Sequence, residues 1–297
     1  MQPFNLTSFP SQCFLGEGPI WIAKHQSFFW VDIESGTLFQ MVWPSQTITT
    51  KKFPGRLAVV LEGKENELIL GLDRSLIRFD LETGKQETLL EVEHEFPLHR
   101  FNDGKVDPRG RIWIGTLSTL FTEGAGSLYR ISEDLIIEKK LENLTISNGM
   151  AWTEDQSSFY FIDSPTQKVQ EFGFDVVSGE ISFKRIAINV PKEIGTPDGM
   201  CIDQEGMLWI AHYGGSGVYR WNPKSGNLLD KIDLPVPHVT SCAFGGPNLD
   251  QLLITTAQEN LSPELLMQFP ESGNVFLVKV EVGGTATNQA HIEPQNP

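Results

Sequence analysis

The sequence predicts an all-β protein, a six-bladed β-propeller with four antiparallel strands in each blade. A short β-rich segment recurs six times at intervals of 40 to 49 residues, close to the period of propeller blades. A strand with alternating apolar and polar residues follows most recurrences, and helical periodicity is weak throughout. The six recurrent segments are FFWVD at 28–32, LILGL at 68–72, IWIGT at 112–116, FYFID at 159–163, LWIAH at 208–212 and LLITT at 252–256.

Further predicted strands complete each blade. One precedes each recurrent segment, at 19–23, 57–61, 104–107, 149–152, 199–203 and 241–245. Another follows it, at 37–43, 75–80, 127–131, 168–174, 217–221 and 274–280. Turn sequences such as LETGK, VVSGE and NPKSGN come after several of these later strands. The best helical candidate is SPELLMQ at 262–268, where Ser-Pro can start a short helix.

We expect residues 1–297 to form a single propeller domain. All-β chains of this length commonly fold as one domain. The N-terminal residues 3–15 are predicted to supply a strand to the last blade. Closing the ring in this way would remove the open sheet edges that invite aggregation.

The composition predicts an acidic, soluble protein. The net charge of −15 would repel the phosphate backbone of nucleic acid and is compatible with bound cations. No apolar run approaches the ~20 residues that span a bilayer, and the N-terminus lacks the pattern of a signal peptide. The three cysteines, Cys13, Cys201 and Cys242, form no C-x-x-C pair, so buried thiols and a reducing compartment are expected. We therefore predict a cytoplasmic protein that binds neither nucleic acid nor membranes, and the sequence leaves its oligomeric state open.

Polar residues mark the starts of the predicted first strands. The first strand of every blade lines the central channel, so residues at equivalent positions converge on one mouth. Glu17 and Asn148 each lie 11 residues before a recurrent segment, Asp198 lies 10 before one, and Asp103 lies 9 before another. Carboxylate and amide oxygens are ligands of hard divalent cations. Asn-Gly and Asp-Gly are also ordinary turn sequences, so the spacing alone leaves open a metal site or a structural role.

Longer motifs surround these residues in a specific order. They are LGEGPIW at 15–21, RFNDGKVDPRGRIWIGT at 100–116, SNGMAW at 147–152, IDSP at 162–165 and TPDGMCIDQEGMLWIAHYGG at 196–215. In these motifs the chain resembles the SMP-30/gluconolactonase/luciferin-regenerating-enzyme family, over nearly its whole length. FGGPNLDQLLITTA at 244–257 is similar to the bacterial sugar-lactonase members. The resemblance implies the same six-bladed fold.

The resemblance also implies a set of site residues. Glu17, Asn148 and Asp198 would hold one divalent metal ion, which varies in the family among calcium, zinc, manganese, magnesium and iron(II). Arg100 and Asn102 would bind the substrate. The implied activity is hydrolysis of a sugar lactone, such as xylono-, arabinono- or gluconolactone, to the aldonic acid. The metal would polarise the lactone carbonyl, and Asp198 is the predicted general base for the attacking water.

Several points differ from the family pattern or are left open. Residues 117–127 form a short segment in place of the longer acidic lid insert of animal members, and His99 stands where an asparagine is common. Asp103 is assigned an outer, supporting role, and the roles of His99 and His212 are left open. Two other functions share the same metal residues: a metal-dependent phosphotriesterase or arylesterase, and a non-catalytic binding or regulatory propeller stabilised by metal.

Overall fold

Residues 4–292, which the computed structural model describes, form 24 β-strands and one short α-helix. The strands of the first half are β1 (Leu6–Phe9), β2 (Gly16–Ile22), β3 (Ser27–Asp32), β4 (Thr37–Val42), β5 (Thr47–Lys52), β6 (Leu57–Glu62), β7 (Glu67–Leu72), β8 (Ser75–Asp80), β9 (Gln86–Glu91), β10 (His99–Val106), β11 (Ile112–Ser118) and β12 (Gly126–Ile131). Those of the second half are β13 (Ile137–Leu144), β14 (Ser147–Trp152), β15 (Ser158–Asp163), β16 (Lys168–Phe174), β17 (Ile181–Asn189), β18 (Thr196–Ile202), β19 (Leu208–Tyr213), β20 (Gly217–Asn222), β21 (Asn227–Asp233), β22 (Val239–Gly245), β23 (Gln251–Thr256) and β24 (Val275–Lys279). The helix α1 is Pro263–Gln268, and short 3₁₀ turns lie at Ala23–His25, Ser164–Thr166 and Lys192–Ile194.

The strands form six antiparallel sheets of four strands, which confirms the predicted six-bladed β-propeller. The first five sheets are β2–β5, β6–β9, β10–β13, β14–β17 and β18–β21, each in chain order. The sixth has the order β22–β23–β24–β1, so it combines both ends of the described chain. Leu6 of β1 lies opposite Val278 of β24, and Phe9 lies opposite Val275. This pairing joins the N-terminal segment to the last sheet.

The first strands of the sheets surround a central channel. Each of them contacts the first strands of both neighbouring sheets, and β22 of the sixth sheet contacts β2 of the first. Aromatic side chains fill the spaces between sheets further out. For example, the ring of Trp113 in the third sheet lies 5.8 Å from that of Trp152 and 5.2 Å from that of Phe159 in the fourth. Such large apolar contacts hold neighbouring sheets together because they remove aromatic surface from water.

Two equivalent aspartates organise the turns at the far end of the channel. Asp107 accepts hydrogen bonds from the backbone N–H of Arg111 at 3.2 Å and from the indole of Trp113 at 2.9 Å. Asp203 repeats this arrangement in the fifth sheet and accepts from the indole of Trp209 at 2.9 Å. Both aspartates are almost fully buried. The motif Asp-x-x-Gly-x-x-Trp therefore links each turn to the aromatic core behind it.

The C-terminal segment crosses the far end of the channel. Thr287 donates a hydrogen bond to the carbonyl of Trp21 at 2.8 Å, and Asn288 donates to the carbonyl of Val106 at 3.0 Å. Residues 285–288 thereby line one end of a central cavity of about 120 Å³. Because β2 and β10 both run from the mouth towards this end, the segment lies opposite the predicted metal residues.

Candidate functional site

The three predicted metal residues lie close to the starts of their strands. Glu17 is the second residue of β2, Asn148 is the second of β14, and Asp198 is the third of β18. All three are buried. The pairing of each strand with its neighbour shifts register at this point. Such bulges redirect side chains, and here they occur in every first strand of the ring.

The glycines that follow these residues allow the strands to approach closely, so the Asn-Gly and Asp-Gly pairs here are parts of strands rather than hairpin turns. A methyl carbon built on Gly149 would lie 2.6 Å from the carbonyl oxygen of Asp198 in the next sheet. Gly18 has a positive φ of 54°, which glycine adopts without strain. The Gly that accompanies each polar residue therefore brings neighbouring first strands into contact at the mouth.

Three carboxyl groups influence one another at this mouth. Burial raises the pKa of Glu17 well above its usual value, and the charges of Asp198 and Asp103 raise it further. Burial and the charge of Asp103 likewise raise the pKa of Asp198 well above its usual value. Burial also raises the pKa of Asp103 itself. The site thus concentrates negative charge, and a divalent cation would compensate for it.

Two buried oxygens at the site have no donor among the described residues. The amide of Asn148 donates from Nδ2 to Ser164 Oγ at 3.0 Å, which leaves its Oδ1 without a partner. Asp198 Oδ1 is also buried and unpartnered. Unpaired oxygens beside the Glu17 carboxyl have the chemistry that hard cations require, so the residues fit a divalent metal. Within residues 4–292, no three His, Cys, Asp or Glu side chains are arranged as ligands of one ion.

Buried aspartates at the ends of second strands support two of these residues. Asp32, the last residue of β3, accepts hydrogen bonds from the backbone N–H of Phe14 at 3.1 Å and of Leu15 at 3.0 Å, just before Glu17. Asp163, the last residue of β15, does the same for the segment before Asn148. These contacts fix the backbone that carries the site residues.

Asp163 Oδ1 accepts from the N–H groups of Thr145 at 3.1 Å and Ile146 at 2.9 Å. In the fifth sheet, His212 pairs with the residue before Asp198, just as Asp163 pairs with the residue before Asn148. Its ring, however, faces a backbone carbonyl rather than backbone N–H groups. Its Nδ1 lies 2.9 Å from the carbonyl oxygen of Ile194, on the segment before Asp198. All three supporting groups therefore act through backbone atoms of the preceding loop.

Arg100 and Asn102, the predicted substrate-binding residues, are bonded to each other. Arg100 Nη1 donates to Asn102 Oδ1 at 2.9 Å and to the carbonyl of Phe101 at 2.8 Å. Asn102 Nδ2 in turn donates to the carbonyl of Ser147, next to Asn148, at 2.9 Å. Arg100 is only 3% exposed. Asn102 therefore connects the arginine to the strand that carries the amide of the site.

One further residue at the mouth, Glu259, has no counterpart in the sequence prediction. Burial raises the pKa of Glu259, while the positive charge of Arg100 lowers it, so these two side chains interact across the mouth. The backbone carbonyl of Glu259 accepts a hydrogen bond from Tyr213 Oη at 2.9 Å and lies 2.9 Å from His238 Nδ1. Glu259 belongs to the loop between β23 and α1, outside the first strands on which the prediction depended. The sequence offered two signals that Glu259 could belong to the site: its acidic side chain and its position just after the recurrent segment at 252–256.

The two histidines whose roles the sequence leaves open are buried to different extents. His99 is half-buried, with Nδ1 2.8 Å from Glu93 Oε2 and its ring stacked on that of Phe96. His212 is fully buried, stacks on Tyr219 with ring centroids 3.9 Å apart, and has an unpartnered Nε2. Burial lowers the pKa of His212 to about 4, so it is neutral at neutral pH.

Comparison with known proteins identifies the family. The sequence profile of the SMP-30/Gluconolactonase/LRE-like region matches residues 15–258. The chain belongs to this family. The match covers the first strands of all six sheets and therefore every predicted site residue.

Individual relatives span almost the entire chain. A Bacillus subtilis (strain 168) protein named "Putative sugar lactone lactonase YvrE" is 34% identical over 275 residues, covering 92% of this chain and 94% of its own. Regucalcin of Macaca fascicularis is 34% identical over 276 residues, covering 91% and 92%. The crystal structure of a calcium-binding regucalcin from Agrobacterium tumefaciens strain C58 has a TM-score of 0.92 at 27% identity and covers 97% of each chain. These relatives support lactonase chemistry in general terms and suggest a divalent metal.

Residues 4–292 contain no helix long and apolar enough to cross a membrane, since the only α-helix among them, α1, has six residues. The helix predicted at 262–268 is confirmed, with Ser262 Oγ accepting a hydrogen bond from the N–H of Leu265 at 3.3 Å.

All three cysteines are free and buried, as expected.

Proposed function

We propose that this protein is a metal-dependent lactonase that hydrolyses a sugar lactone, such as xylono-, arabinono- or gluconolactone, to the aldonic acid. One observation carries the proposal. Unpaired buried oxygens of Asn148 and Asp198 lie with the Glu17 carboxyl at the mouth of a propeller that also holds a buried arginine, Arg100. The family relatives named as lactonases support the same chemistry.

Glu17, Asn148 and Asp198 would hold the metal. A bound divalent ion would act as a Lewis acid towards the lactone carbonyl and would lower the pKa of a coordinated water. Its positive charge would also offset the repulsion among the carboxylates, so that Glu17 and Asp198 are ionised at neutral pH. Calcium is the first ion to test, because the regucalcin from Agrobacterium tumefaciens is described as a calcium-binding protein.

The protein's own residues would then perform proton transfer and orientation. Asp198 accepts a proton from the attacking water, because its carboxylate is at the site and lacks a donor on Oδ1. Arg100 Nη1 is committed to Asn102 and to Phe101, and Nε lies 4.0 Å from Glu34 Oε1, which leaves Nη2 to bind sugar oxygens. Asn102 fixes the arginine and completes the polar wall. A charged, oriented arginine would also stabilise negative charge that develops on the carbonyl oxygen.

A panel of lactones tests the proposal. Purified full-length protein is assayed on xylono-, arabinono-, galactono- and gluconolactone, before and after chelation, and with single metals added back. We expect hydrolysis that is lost on chelation, restored by at least one divalent ion, and reduced about 100-fold or more in Asp198→Ala. Activity unchanged in Asp198→Ala would overturn the mechanism. Hydrolysis of phosphotriesters or aryl esters instead of lactones, or no hydrolysis with any ion, would overturn the proposed function.

A further inference from the structure

Two cysteine sulfurs meet between neighbouring sheets. Cys201 Sγ and Cys242 Sγ lie 3.6 Å apart, although 41 positions separate the two residues in the sequence. Cys201 belongs to β18 and Cys242 to β22, the first strands of the fifth and sixth sheets, which contact each other directly. The two sulfurs are thus in van der Waals contact, and a modest approach of the side chains would bring them to bonding distance.

The two thiols differ in their access to solvent. Cys201 is 8% exposed and lines the central cavity of about 120 Å³, whereas Cys242 is 1% exposed. Cys242 Sγ lies 3.4 Å from the carbonyl oxygen of Trp209, to which its thiol can donate. The cavity wall also contains Lys105, whose positive charge favours the thiolate of Cys201. Small molecules in the channel can therefore reach Cys201 first, with Cys242 placed behind it.

We propose that Cys201 and Cys242 are an oxidation site, at which hydrogen peroxide in the central channel converts the two thiols into a disulfide between the fifth and sixth sheets. The Cys201 thiolate attacks one peroxide oxygen, the O–O bond breaks, and water leaves after protonation, so that Cys201 becomes a sulfenic acid. Cys242 Sγ then attacks the Cys201 sulfur. The S–O bond breaks, and the departing hydroxide takes the proton of Cys242. Two sulfurs are oxidised, and the peroxide is reduced to two molecules of water.

The disulfide would connect the strand that carries Asp198 to a strand that is hydrogen-bonded to the residue before Glu17. Cys201 lies three residues after Asp198 in β18, and Cys242 lies two residues after Thr240 in β22. Thr240 Oγ1 donates to the carbonyl of Gly16, next to Glu17, at 2.5 Å. Oxidation would therefore tie together two first strands at the ring centre and reduce the freedom of the unfolded chain, which stabilises the folded protein.

The rate of this reaction should depend strongly on pH. Burial raises the pKa of the Cys201 thiol well above its usual value, Cys242 and the charge of Asp203 raise it further, and the charge of Lys105 offsets this only in part. Because the thiolate is the reacting form, the oxidation rate should rise about tenfold for each unit of pH. The third cysteine, Cys13, is fully buried in a different apolar cluster and serves as an internal control.

Peptide mapping of the full-length chain tests the proposal. Reduced protein is exposed to hydrogen peroxide, the peroxide is removed with catalase, and free thiols are alkylated after denaturation. We expect a linked peptide containing Cys201 and Cys242, an intact mass lower by two hydrogen atoms, and alkylation only at Cys13. Dithiothreitol should restore alkylation at all three positions. The oxidised protein should also melt at a higher temperature than the reduced protein.

Serine variants provide the matched controls. Cys201→Ser and Cys242→Ser should each abolish the linked peptide, whereas Cys13→Ser should retain it. The proposal is overturned if Cys201 is oxidised to the sulfinic acid without a link, if links form only between chains, or if all thiols stay reduced under peroxide that oxidises free glutathione. The peptide map of the protein without substitutions distinguishes these outcomes even where a serine variant folds poorly.

Discussion

The amide of Asn148 lies beside the carboxylate of Asp198, and the Oδ1 atoms of both are buried without a donor among the described residues. Leaving a buried acceptor unpaired costs about 1–3 kcal/mol. Two such oxygens in adjacent first strands, next to the raised-pKa carboxyl of Glu17, therefore represent a cost that a bound cation would remove. This relationship leads to the first prediction.

We expect the full-length protein to bind one divalent cation, and Glu17→Gln or Asp198→Asn to weaken that binding at least about 10-fold because each removes an anionic ligand. Metal content after dialysis and calorimetric titration with calcium, manganese and zinc measure the effect. Glu154→Gln is the control, since this exposed carboxylate lies in the loop between β14 and β15 at the opposite end of the strands. Equal binding by all four proteins would show that the mouth is not the metal site.

The second prediction concerns Asp163, which holds the loop before Asn148 through hydrogen bonds from two backbone N–H groups. Asp163→Ala removes the acceptor of two backbone N–H groups and should let Asn148 move. We expect about 10-fold weaker metal affinity, the usual effect of losing a residue that supports a ligand. Calorimetry measures the affinity, and circular dichroism checks the fold. Asp163→Asn retains an oxygen at this position and should recover most of the binding; identical losses in both variants would contradict the positioning role.

The third prediction concerns the stability of the metal-free protein. A carboxyl group whose pKa is raised by folding destabilises the folded state at pH values above its unfolded pKa, because the unfolded chain ionises there more easily, and the loss is complete above the folded pKa. Glu17→Gln should therefore increase the free energy of unfolding by on the order of 1 kcal/mol at neutral pH in a chelator. With saturating metal the same substitution should decrease it, because the ligand is lost. Urea titrations in both conditions give the comparison, and destabilisation of the metal-free protein would contradict the charge repulsion at the mouth.

The fourth prediction concerns His212 and acid stability. Its folded pKa of about 4 lies below the usual 6.5, so the unfolded state binds a proton first as the pH falls. Stability from this group is complete above pH 6.5 and is lost between pH 6.5 and 4, by on the order of 3 kcal/mol. His212→Gln should be less stable than the parent at pH 7, with the difference shrinking towards pH 4. Urea unfolding at several pH values measures this, and a pH-independent difference would exclude the mechanism.

Much of the fold is predictable from the sequence because its signals are local and periodic. Each sheet repeats a buried strand such as FFWVD and a neighbour of alternating polarity, so the spacing of the recurrences predicts six equivalent units. The same spacing predicts that Glu17, Asn148 and Asp198 occupy equivalent positions in first strands, as the structure has them. The family motifs then separate these three from Asp103, which the spacing alone places beside them.

Other features depend on contacts between residues that no periodic pattern relates. Glu259 interacts with Arg100 because the loop after β23 folds over the mouth, and the sulfurs of Cys201 and Cys242 meet because the fifth and sixth sheets are neighbours in the ring. The pairing of Arg100 with Asn102 likewise depends on a bulge in β10 that shifts its register between Phe101 and Gly104. Local sequence patterns determine the order of the strands and the spacing of the site residues. The burial, charge environment and contact partners of each side chain depend on which strands become neighbours when the ring closes.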